Sequence, residues 1–152
     1  MASLSPAQRR AIDLAKEGLV VAAEELLRDA GVAPGRDFGH SQLRNLVAVA
    51  TETESPAVVL NFIRYQMGRD DKHRNWSQGP ESQRLGDRFI AALHKEGGAV
   101  ATALAKVPEL EGNAIVQQLA RMELIRYFLG FATRYMKYLE LQAGPARKGG
   151  GR

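Results

Sequence analysis

The sequence predicts an all-α protein, a compact bundle of about five helices with a long C-terminal helix and a flexible basic tail. Three observations lead there. Apolar residues recur at three- and four-residue spacing through most of the chain. The pair serine-proline opens a helical pattern twice, at Ser5-Pro6 and Ser55-Pro56. No stretch alternates apolar and polar residues over five or more positions between turn signals, as a half-buried strand would. At 152 residues the chain fits one domain, and it is long enough to bury a core without disulfide or metal staples. The expected division is a helical domain over 1–143 and a disordered glycine-rich tail over 144–152.

The first helix starts at Ser5, whose hydroxyl can cap while Pro6 gives up no needed donor, and Gln8 completes a capping box. Its inward residues are Ile12, Ala15, Leu19, Ala22, Ala23, Leu26 and Leu27; Gly18 is a weak point and Gly31 a stop. A second helix covers roughly His40 to Thr51, with Leu43, Leu46, Val47 and Ala50 on one face. The third, after Ser55-Pro56, turns Val59, Phe62, Ile63 and Gln66 inward. A polar loop follows from Arg69 to Gln83. The fourth helix runs from about Glu81 through Leu85, Phe89, Ile90 and Leu93, interrupted by Gly97-Gly98 before Val100, Leu104 and Val107, and Pro108 ends it. The last extends from near Asn113 to about Gln142, with Ile115, Leu119, Met122, Ile125, Leu129, Ala132, Met136 and Leu139 as its core face.

Composition removes several classes of function. Cysteine is absent, so there are no disulfides, thiolate nucleophiles or cysteine-containing zinc patterns. No apolar run approaches the roughly 18–20 residues of a bilayer crossing, and the first residues lack signal-peptide order, so the cytoplasm, away from any membrane, is the expected location. His40, His73 and His94 lie far apart in sequence, and none is followed by an acid or second histidine at i+3 or i+4 in a helix. Asp70 and Asp71 are the best start for a divalent site and, with His73, the best hook for an enzyme, but chemistry at a metal usually recruits acids from several elements. The expectation is no catalytic residue, no metal and no cofactor.

Charge is where the sequence speaks. The formal net charge is +4, yet 1–35, 36–60 and 91–120 each sum to −1, while 61–90 carry +2 and 121–152 carry +5. A polyanionic partner suits that distribution. On the last helix Arg126, Gly130, Arg134 and Lys137 fall within a wedge of about 80°, and the glycine would let another backbone come close. A solvated face with snorkelling side chains is the plainer reading of such a stripe. A second cluster joins Arg64, Arg69, Lys72, His73 and Arg74, with Tyr65 and Trp76 interleaved. Arginine forks suit phosphate and aromatics suit unpaired bases, although cations at a helix end also favour the macrodipole. A buried tryptophan is likewise the commoner outcome for Trp76.

Three local patterns, in order, resemble the small subunit of type III-A CRISPR effector complexes, the Csm small-subunit family. These are Ser41-Gln42-Leu43-Arg44 opening the second helix, Phe62-Ile63-Arg64-Tyr65-Gln66-Met67-Gly68-Arg69 ending the third, and Phe128, Phe131, Tyr135, Lys137 and Tyr138 on the last. The resemblance covers roughly residues 38–140; the Trp76 loop and the tail depart from the family's pattern. It implies a non-catalytic helical bundle that assembles in copies beside other effector subunits and lines the channel holding guide and target RNA. By motif it makes Arg44, Arg64, Arg69, Arg134 and Lys137 the candidates for RNA phosphates; Lys72, Arg74 and Arg126 join them from charge alone. The type III-B small subunit and a helical adaptor that binds protein only are the alternatives.

Overall fold

A helix needs its end groups satisfied and one face buried, and both requirements can be followed along this chain. The computed structural model describes residues 2–35 and 38–144. Six helices succeed one another: α1 (Pro6–Ala30), α2 (His40–Thr51), α3 (Pro56–Gly68), α4 (Leu85–His94), α5 (Ala99–Leu104) and α6 (Ala114–Ala143), with no strand among the described residues. The all-α class and the long final helix are as the sequence predicts. Of the expected tail, Gly144 ends α6, and residues 145–152 lie outside the described residues.

At the start of α1 the Ser5 hydroxyl accepts from the Gln8 amide, and the Gln8 side chain accepts from the Ser5 amide. The same Gln8 amide group donates to the carbonyls of Pro108 and Glu109, so the cap also ties α1 to the turn before α6. Gly31, in the left-handed conformation, closes the helix. α6 is the central element. It packs against α1, α2, α3 and α5, and buries Met122, Ile125, Phe128, Leu129, Ala132 and Met136.

Four local expectations need correction. The fourth helix starts at Leu85, not near Glu81, because Ser82 adopts a left-handed φ of 71° and the Asp87 carboxylate accepts from the Arg84 amide instead. It is also two helices rather than one interrupted helix: Lys95 is extended, Gly97 has φ 86°, and a Cβ on Gly98 would collide with the Ala91 carbonyl. On α3 the buried residues are Val59, Leu60 and Ile63, with Gln66 only half-buried. Ile115 is 65% exposed, because the core face of α6 begins at Val116.

Trp76 belongs to the core. It is 2% exposed and sits edge-on between Phe38, at a ring separation of 5.2 Å, and Phe89, at 5.4 Å; Phe89 continues the series to Phe128 of α6 at 6.2 Å. Its carbonyl accepts from the Gly86 amide and that of Gln78 accepts from Leu85, so the loop carrying the indole also satisfies the opening turn of α4. Truncating it removes that packing, and Trp76→Ala is expected to lower unfolding free energy by about 3–5 kcal/mol in urea denaturation.

Candidate nucleic-acid interface

The basic residues are best understood from α2 outward. α2 lies antiparallel to α6, held at both ends by α6 side chains. At its N-terminus the Glu140 carboxylate accepts from the His40 amide at 2.7 Å, and His40 Nδ1 lies 3.1 Å from the other oxygen, Oε1. A Cβ on Gly39 would run into Glu140 Oε2, so any larger residue there would make the carboxylate shift. At the other end Arg126 Nε donates to the Ala50 carbonyl at 2.9 Å and its terminal nitrogen to the Thr53 carbonyl at 2.7 Å, with Glu54 and Glu123 as ion-pair partners. An acid at the helix start and a cation at its end both complement the macrodipole.

Burial works against ionisation of Glu140, but the His40 amide and imidazole and the nearby Lys137 ammonium outweigh it and hold its carboxyl below the ordinary range.

These contacts sort the candidate cations. Arg126 has its donors committed to backbone carbonyls and acids, and acts as a brace between helices. Lys137, exposed, lies 3.7 Å from Glu140, and Arg134, also exposed, stands over the Phe131 ring at 5.7 Å. Arg44 is exposed one turn along α2 from His40. Because residue 40 pairs with 140 and residue 50 with 126, the antiparallel register brings Arg44 roughly level with Arg134. Gly130 leaves an open notch in the stripe, since a Cβ there would meet nothing.

On the opposite flank, between α2 and the end of α3, Gln42, Asn45 and Gln66 meet Arg69, Lys72 and Arg74 around a polar concavity of about 440 Å³, whose wall also includes the acids Asp70 and Asp71. Tyr65, 60% exposed, offers its ring to the Arg69 guanidinium at 5.6 Å. Arg64 is exposed but stands about 140° round α3 from Arg69, off this concavity. Trp76, interleaved with these cations in sequence, offers no stacking surface because it is buried.

The loop that carries Lys72 and Arg74 is tied by Asp70. Its Oδ2 accepts from the amides of Asn75 at 2.8 Å and Ser77 at 2.9 Å and from the Ser77 hydroxyl at 2.8 Å, while Oδ1 accepts from the Arg74 amide at 3.3 Å. His73, at φ 53°, brings Nδ1 within 3.0 Å of the same hydroxyl. Burial opposes the charge on Asp70, yet the hydrogen bonds from Ser77, Asn75 and Arg74 prevail and lower its pKa. A carboxylate so occupied is a loop organiser rather than a half-built metal ligand, and no group of three or more potential metal ligands occurs among the described residues.

Sequence reasoning missed Glu140 and the polar side chains of Gln42 and Asn45. Asn45 was legible only as an exposed polar position of an amphipathic helix, and Gln42 only as a member of the motif that opens it. Comparison with protein-family models, curated proteins and solved structures finds no match. Among the described residues no helix is long and apolar enough to cross a membrane.

Two predictions follow from the braces. Arg126→Ala leaves the end of α2 without its charged donor and should cost about 2 kcal/mol in urea unfolding, with Arg126→Lys failing to recover both carbonyl contacts. Glu140 and Asp70 have folded pKa values below their unfolded ones, so their contribution is complete only above about pH 5, clear of the unfolded values, and is lost as pH falls through the folded ones. Urea midpoints measured against pH should fall on the acid side, and the fall should be shallower in Glu140→Gln.

Proposed function

We propose that this chain is a non-catalytic, RNA-holding small subunit of a type III-A CRISPR ribonucleoprotein, working in the cytoplasm. Cations from separate elements flank α2: Arg44 on its exposed side, Arg134 and Lys137 on the α6 flank, Arg69, Lys72 and Arg74 on the α3 flank. That gathering around one exposed helix is the observation that carries the reading. The ordered resemblance to the Csm small-subunit family supports it, since the same helix ends supply the matched motifs. In this role the chain grips phosphates without reading sequence, specificity coming from guide pairing, while other effector subunits and further copies of the chain pack alongside and perform the chemistry.

Labelled RNA of mixed sequence should bind with an affinity that falls with salt, each neutralised phosphate contributing about −0.7 to the slope of log affinity against log salt. Arg44→Ala, Lys72→Ala and Lys137→Ala should each make that slope shallower by roughly this amount, with unchanged helical circular dichroism. Arg64→Ala, off the concavity, should change it least. Salt-independent binding, or partners fully retained in a pull-down after nuclease treatment with no RNA recovered, would instead make the chain a protein-only adaptor.

A further inference from the structure

The face of α1 that the RNA reading leaves unused carries its own pattern. Arg10, Leu14, Glu17, Val21 and Glu25 follow at three- and four-residue intervals and share a strip about 80° wide. All are exposed, Leu14 at 73% and Val21 at 49%, so neither apolar side chain serves the core. Leu14 stands on the wall of a largely apolar concavity of about 550 Å³ between α1 and α5, whose floor is made by Ala15, Gly18 and Ala22 of α1 and Ala99 and Ala103 of α5, with Lys106 at its edge. A Cβ on Gly18 would meet nothing, so the chain does not fill this space itself. Projecting apolar side chains and a hollow that could receive them therefore stand together on one helix, the condition for a self-complementary two-fold contact.

Charge selects the direction. α1 has Arg9 and Arg10 near its start and Glu24 and Glu25 near its end, the reverse of what its own macrodipole favours. A parallel copy would set like charges together. An antiparallel copy turned about a point near residues 17 and 18 sets each Arg10 against the other copy's Glu25, and each Leu14 against the other copy's Val21. We infer that two copies of this chain associate through antiparallel α1 helices, each inserting Leu14 beside Gly18 of the other. The contact lies away from α2, because α1 meets α6 through Tyr127 and Tyr135, a different side from that of Arg126 and Glu140. It does not depend on the RNA reading.

Sedimentation velocity on the nucleic-acid-free full chain tests this across the micromolar range. The wild type should show a concentration-dependent monomer–dimer equilibrium. Leu14→Glu, at an exposed position, should keep its helical circular dichroism and raise the dimer dissociation constant about tenfold or more. Glu25→Arg should weaken the dimer, and Arg10→Glu combined with Glu25→Arg should restore it. A wild type that stays monomeric, a dimer indifferent to Leu14→Glu, or a double exchange that fails to restore association would each overturn the proposal.

Discussion

The geometry of the cationic surface depends on α6 holding α2 by both ends. A helix of 12 residues has little stability of its own, because nucleation is costly and its terminal amides and carbonyls lack partners. Here Glu140 supplies an acceptor at one end and Arg126 a fork of donors at the other. The two side chains fix the direction, rotation and longitudinal position of α2 together. Were α2 displaced along α6 by one turn, Arg44 would leave the level of Arg134, and Gln42 and Asn45 would no longer floor the concavity beside Arg69 and Lys72.

Much of the fold was legible because local chemistry and packing agree. Ser5, Pro6 and Gln8 cap α1 as the sequence indicates, and the buried residues of α1, α2 and most of α6 keep helical spacing. The misreadings occurred where tertiary contacts override periodicity. Glu81 to Arg84 has ordinary helix-forming composition, but Ser82 turns left-handed so that the loop can deliver Trp76 to the core. Ile115 has the right spacing for burial and nothing to pack against at the tip of α6.

The candidate site was legible as charge and not as arrangement. Arg126, Arg134 and Lys137 share one helix face in any sequence-based drawing, yet Arg126 braces α2 while the other two face outward. The distinction lies in the carbonyls of Ala50 and Thr53, more than 70 residues away in sequence, which no periodicity reveals. Glu140 was hidden for the same reason. An acid and an arginine separated by roughly the length of α2 are a recognisable clamp only after the two helices are known to be neighbours.

The Asp70 loop has a further consequence for how a ligand would be received. Long cationic side chains on slack loops lose backbone freedom when they engage a partner, and that loss offsets part of the attraction. Between Asp70 and Ser77 the backbone has already surrendered that freedom, with amide after amide directed at one carboxylate. Lys72 is thus presented on a pre-organised support, so the entropic penalty of engagement there is confined largely to the side chain.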